Sequence, residues 1–592
     1  MARKMRAVVA ASATLAVGLT TAACGGGGGS SSTGGGTSGS KAAGYNAILN
    51  GIVNPGTAKG GTLNLWTSQD ADSWDPARGY YAFVWTLNRL YTRKLVDYAA
   101  APGAPKLEPD LAQALPQLSA DKLTYTFKLK SGIKFDDGSP ITSKDIKYGV
   151  ERVWASDVIN GGPVYLPGVL DQGQNYPGPY KDKDPDKLGL KSIETPDDST
   201  IVFKLKKPYS DFAYLLAMPG SGPVPQKRDT GAKYGSAPAA SGPYMFKPNG
   251  IVPGKSASWV RNPNWDPATD TIRKALPDAI NLTVTTNADD LDARLIAGTA
   301  DIDVGQTGVQ AAARAKILQD PNLKANVDAV PTGFLRFAAM TNVAPFDNID
   351  CRKAVIYAAD PTSIQAARGG PIAGGDIGIN MLPPTILGND PNYDPYNRKQ
   401  GKPQVDKAKQ ELQACGKPSG FETVIAARNN RAAEVKTAEA LQAALKAVGI
   451  NAKIDQYDGA QDSSIGGSPA VVKKKGYGII ITGWGADYPT GGGYLQPLAD
   501  SRFIVKNGNF NRAEIRNPEI DGLFDQAAAE TDPTKAAAIY SQIDHKIMEG
   551  AYILPFTIDK ALNYRNPRLT NVYELQADSM VDFQALGVSD GK

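Results

Sequence analysis

The chain has 592 residues, more than one core of ordinary size holds; at roughly 150 residues per domain, two to four compact units are expected. Its 64 Lys and Arg against 60 Asp and Glu leave a net charge of +4, which is no electrostatic footprint for nucleic acid. One histidine, His545, and three cysteines exclude multi-His metal sites and Cys-rich zinc modules, while 42% apolar residues with 25 Tyr and 7 Trp indicate a folded globule.

Residues 1–6 are basic, and residues 7–23 carry no charge and end in small side chains. Seventeen mixed Ala, Val and Leu residues fall short of the ~20 that span a bilayer, so the stretch reads as a secretory signal. Ala22 and Ala23 lead into Cys24, which resembles the lipobox of bacterial lipoproteins, although Thr21 stands where Leu is usual. That resemblance implies cleavage before Cys24 and its lipidation. Residues 25–40 contain only Gly, Ser and Thr, a coil with a reach of roughly 22 Å at about 5–6 Å × √n. The expectation is an exported body tethered to the outer face of the cell membrane, with two or more acyl chains giving stable anchoring.

Alternation marks strands at Leu63–Trp66, Leu123–Lys130 and Ile201–Leu205. Thr142 with Asp145 forms a capping-box pattern, followed by Ile146, Val150, Val153 and Trp154 on one helical face. Farther along, Phe421–Ala426 reads as a strand and 431–448 as an amphipathic helix ending at a glycine cap, Gly449. Ile450–Gln456 then reads as the returning strand. Gly478–Thr482 is a short apolar run of the kind found in buried parallel strands, and 533–549 reads as a helix. A strand–helix–strand unit late in the chain and shorter alternating strands early in it point to two α/β lobes.

Pro109-Asp110-Leu111-Ala112, Tyr125–Phe135, Asp137-Gly138 and Asp145-Ile146 resemble the signature of the family 5 extracellular solute-binding proteins, the large receptors of ABC importers. The similarity continues in order through Ser241–Tyr244, Arg261-Asn262-Pro263, Ala297-Gly298 with Asp301-Ile302-Asp303, Pro345-Phe346, Trp484–Pro489 and Ile553-Leu554-Pro555. It implies a bilobal periplasmic-binding-protein-like clamshell (type II, large cluster C type) with an extra subdomain in the N-terminal lobe. By this match domain I comprises 59–334 plus 559–592, with the insert at about 91–219, and domain II comprises 335–558. The signal peptide is 1–23 and the lipidated tether 24–58, and the lobes are joined near 331–337 and 555–560. Ligand closes such lobes by hinge bending.

The same resemblance assigns Asp487 to the ligand's α-amino group; a carboxylate in a closing, desolvated cleft needs a cation, and an ammonium supplies one with three donors. Trp484 and Tyr488 would line the cavity, and the backbone of Gly483 and Gly485 would pair with the ligand main chain as an added strand. Tyr80, Tyr81, Phe83 and Trp85 would form the opposite lip. For a ligand carboxylate, Arg336, Arg428 and Arg431 all remain open. Cys351 and Cys415, an even pair in an oxidising compartment, are expected to form a disulfide closing a long loop, worth about 4 kcal/mol on a loop-entropy account.

Other signals carry less. Asp182, Asp184 and Asp186 copy the start of a calcium loop, but Pro185 intervenes, Lys187 replaces the required glycine, and Ile193 stands at the twelfth position. Ser119-x-x-Lys122 and Ser131-x-x-Lys134 lack the companion motifs of serine acyl-enzymes. The expectation is therefore a monomeric, non-enzymatic receptor without a cofactor, taking oligopeptides to an ABC permease. A metal chelate, haem or an oligosaccharide is the alternative cargo; a sensor without transport, or a surface hydrolase on the same fold, is the alternative class.

Overall fold

The computed structural model describes residues 44–159 and 161–589; the predicted leader, Cys24 and the tract 25–40 lie outside the described residues. Alternation builds the first sheet: Leu63 and Leu65 of the strand Thr62–Thr67 are fully buried, and their neighbours face the other side. That strand pairs in parallel with Ala279–Val284 and with Ile302–Asp303. Ser256–Arg261 and Tyr244–Val252 extend the sheet antiparallel, making five strands.

The chain between these strands forms a separate four-stranded sheet from Gln117–Leu118, Thr124–Lys128, Thr200–Lys204 and Ile193–Asp197. The helix Ser143–Glu151 covers it and begins with the expected capping box, the Thr142 N–H donating to Asp145 Oδ2 at 2.8 Å. Buried charges join the insert to the rest. Arg273 reaches Asp97 at 2.7 Å, Asp110 at 3.0 Å and Asp270 at 3.2 Å. Arg93 adds Asp110 at 2.7 Å, Lys94 adds Asp97 at 3.0 Å, and Arg89 adds Asp582 at 3.3 Å.

The second lobe is a six-stranded sheet in the order 376–377, 553–564, 327–340, 477–485, 422–428, 451–457. Glu422–Arg428, the helix Ala432–Lys446 and Asn451–Tyr457 form the predicted parallel unit, and Gly449 takes the positive φ of 89° that ends the helix. The apolar strand Tyr477–Gly485 is parallel to its neighbour only on one side; toward Val327–Met340 it is antiparallel, so the sheet is mixed. Cys351 and Cys415 are bonded, joining the helix Ile349–Ala358 to the end of Val405–Ala414. No helix among the described residues is long and apolar enough to cross a membrane.

Two long strands, Val327–Met340 and Ile553–Tyr564, connect the lobes. Val327, Ala329, Leu562 and Tyr564 pack with Leu291 and Leu295 of the first lobe, whereas Phe337, Met340, Leu554 and Phe556 lie in the core of the second. Their pairing is interrupted between Pro331 and Leu335 and again between Arg336 and Phe337. Gly333, at φ 74°, lies in the first interruption, where an added Cβ would meet Ser579 Oγ at 2.5 Å.

Candidate functional site

At that interruption a cavity of about 410 Å³ opens, within the range of small-molecule sites. Its walls come from both lobes and the connection: Tyr80–Phe83 and Gln306 from the first, Pro331–Phe334 between them, and Arg431 and Gly485–Asp487 from the second. The C-terminal segment Gln576–Met580 closes one side.

The Asp487 carboxylate is the point where the lobes meet in this cavity. Tyr80 donates its hydroxyl to Asp487 Oδ2 at 2.8 Å, and Tyr165 of the insert donates to the same oxygen. Burial raises the Asp487 pKa, and the two hydroxyls offset this only in part. No ion pair among the described residues includes Asp487. Burial likewise raises Tyr80 and Tyr165 well above the usual phenol range, with the Asp487 charge adding to it, so both stay protonated donors.

Of the three candidate arginines, two are engaged. Arg336 Nε pairs with Asp559, and Arg428 pairs with Glu434 and lies 3.7 Å from Asp462. Arg431 is exposed, lines the cavity and makes no ion pair among the described residues. A second acid of the cavity, Asp578, was not anticipated from the sequence. It accepts a hydrogen bond from Thr86 Oγ1 at 3.2 Å and is pushed up to about 6 by burial.

Four buried polar atoms in the wall have no partner among the described residues: Gln306 Nε2, Asn563 Oδ1, Thr332 Oγ1 and Thr385 Oγ1. Asn563 Nδ2 donates to Gln306 Oε1 at 3.3 Å, which leaves one donor and one acceptor side by side. Exchanging O and N in both amides leaves the same complement. Buried polar groups are normally satisfied, so these four mark a polar wall whose hydrogen bonding is incomplete in the ligand-free protein.

Of the anticipated residues, Asp487, Gly485, Tyr81, Tyr80 and Phe83 line the cavity. Gly483, Trp484, Tyr488 and Trp85 do not. The Trp484 ring packs on Phe510 at 4.7 Å. Tyr488 is 1% exposed and its hydroxyl lies 2.8 Å from that of Tyr209. Trp85 Nε1 donates to Gly79 O at 2.6 Å. Gly483 and Gly485 already pair on one strand edge with Arg336 and Phe334. His545 stacks on Tyr393 at 3.6 Å, and neither lines the cavity; Asp182 closes a turn by accepting from the Asp184 and Gly189 N–H groups.

Two α/β lobes joined by a pair of strands around a polar cavity define a solute-binding clamshell. Residues 106–504 match the family described as "Bacterial extracellular solute-binding proteins, family 5 Middle", and the chain belongs to that family, the binding components of ABC importers. The chain is 26% identical over 530 residues to the glutathione-binding protein GsiB of Escherichia coli O1:K1 / APEC, covering 86% of this chain and 90% of that protein. Among solved structures it is similar to clavulanic acid biosynthesis oligopeptide binding protein 2, at 42% identity and a TM-score of 0.88, over 93% of this chain and 99% of the other. The same fold is shared with DppA from Helicobacter pylori in complex with the peptide STSA, at 21% identity and a TM-score of 0.69, over 90% of this chain and 99% of DppA. The family is one of binding proteins, not enzymes.

Proposed function

We propose that this chain captures short peptides in the interlobe cavity and delivers them to a membrane permease, held at the cell surface by lipid on Cys24. In this reading one lobe is 59–334 plus 559–592, with the insert at about 91–219, and the other is 335–558. The observation that carries it is Asp487, a part-buried carboxylate fixed by two hydroxyls from the opposite lobe and lacking a cation. A ligand ammonium replaces solvent there and gains charge-assisted bonds in the closed form only, which is what drives closure.

Arg431 is the cation left for the peptide's carboxylate. A structure 42% identical carries the name of an oligopeptide binding protein. Glutathione, with two carboxylates, is charged against a cavity holding Asp487 and Asp578 with Arg431 as its one unpaired wall cation among the described residues.

Calorimetric titration with free-amine and N-acetylated forms of one tripeptide tests the reading, with haem, a nickel chelate and a maltooligosaccharide as controls. The free-amine form is expected to bind about 30-fold or more tightly than the acetylated form, and Asp487→Asn to remove that difference, since truncating one side of a desolvated charge pair costs about 2–5 kcal/mol. Equal binding of the two forms removes the amine assignment; binding of a control in place of the peptides removes the cargo.

A further inference from the structure

The charged groups under the cavity show which acid is in surplus. Arg89, Arg93, Lys94 and Arg273 are balanced by Asp97, Asp110, Asp270 and Asp582, each within 3.5 Å of an opposite charge. That set is neutral without Asp578. Asp578 stands between this network and the open cavity; among the described residues its side chain accepts from the Thr86 hydroxyl and has no cation within 4 Å.

We infer that Asp578 is the seat of a second cationic group of the cargo, so that the preferred ligands are peptides carrying a lysine- or arginine-like side chain as well as a free amino terminus. The inference rests on the peptide reading above and adds a side-chain preference to it. Asp487 and Asp578 supply two carboxylates to one cavity, and Arg431 supplies a single cation, so a cargo with two positive groups and one carboxylate neutralises the walls.

Burial sets the Asp578 carboxyl at about 6; Arg89 and Lys94 pull it down, and Asp97 and Asp582 push it up. The nearby cations are thus already spent on their own acids, and Asp578 retains the cost of an unpaired charge. Gln306, 6% exposed, and Thr385, 9% exposed, are polar residues of the same cavity wall. A flexible alkyl stem ending in a charge can follow such a wall, its methylenes lying on Met580 and its head on Asp578.

The test uses the intact chain and three tripeptides of alanine with lysine at the first, second or third position, each paired with its norleucine counterpart, which keeps the stem and removes the charge. Titration is expected to show at least one lysine peptide bound roughly tenfold or more tightly than its partner. In Asp578→Asn that lysine peptide is expected to fall to the level of its norleucine partner, and in Asp578→Glu the preference is expected to persist. Equal binding within all three pairs overturns the second-cation site while leaving the peptide reading intact, and so does a preference that survives Asp578→Asn. If no tripeptide binds, both readings fall together. Where Asp578→Asn does not fold, Asp578→Ser carries the same test.

Discussion

Beneath the cavity, eight charged side chains are shut from water and every one has an opposite charge within 3.5 Å; in the cavity wall Asp487, Asp578 and Arg431 have none among the described residues. Both regions contain acids removed from solvent, and only one has settled its electrostatics internally. The paired region has spent its charges on geometry, tying the insert, the first lobe and the C-terminal segment together. The unpaired region keeps a deficit that another molecule can fill, and that difference separates a structural acid from a binding one more surely than burial does.

The largest expected effect comes from unbalancing the paired region. Arg273→Met leaves Asp97 to Arg89 and Lys94, and Asp110 and Asp270 to share Arg93, so the buried set carries one uncompensated negative charge and the variant is expected to cost about 3–5 kcal/mol in denaturant unfolding. Peptide affinity of the protein that remains folded is expected to match wild type, and a weaker affinity would show that the two regions are not separate. Next comes Arg431→Gln. It is expected to weaken a free-acid peptide about tenfold and leave its C-terminal amide unaffected, with stability unchanged. A stability loss instead would mean that Arg431 has a partner within the fold.

A smaller effect follows from pH. Asp211 and Asp303 are raised to about 6, Asp544 and Glu574 to about 7, all by burial, against about 4 in an unfolded chain. Folded protein therefore holds more protons than unfolded protein between about pH 4 and 7, and stability falls as pH rises through that window. Scanning calorimetry of ligand-free protein is expected to give a higher Tm at pH 5.5 than at 7.5. Affinity for a free-amine peptide runs the other way, rising with pH as Asp487 ionises, since its pKa is also raised. A Tm that rises with pH would contradict the first half. The smallest effect is expected from Asp211→Asn, within about 1 kcal/mol at neutral pH. The amide oxygen still accepts from Thr490 Oγ1, now at 2.7 Å, so the variant should flatten the pH slope and change little else.

The elements were legible where local pattern decides them. The Thr142–Asp145 box, the helix to Lys446 with its Gly449 cap, and the strand from Glu422 follow from spacing and capping, and an even cysteine pair pointed to the disulfide. Asp487 was legible because it belongs to a contiguous stretch. Nearness in sequence places Trp484 and Tyr488 in the cavity with Asp487, yet the strand ends at Gly485; residues 485–487 line the cavity while Trp484 turns onto Phe510 and Tyr488 onto Tyr209. Tyr165 reaches Asp487 across 322 positions, and Asp578 arrives from beyond the last matching motif; only the tertiary path brings either to the cavity. Nothing in residues 484–489 says which arginine stays free, since that depends on Asp559 and Glu434 having claimed the others.

The interruption at Pro331–Leu335 has a mechanical consequence. The connecting strands lose their mutual support at the place where they line the cavity, so in the proposed function the joint that flexes and the surface that holds the cargo are the same few residues. An occupant lying on Thr332–Phe334 acts as a splint, and a loaded molecule offers its docking partner a narrower spread of shapes as well as a different average one.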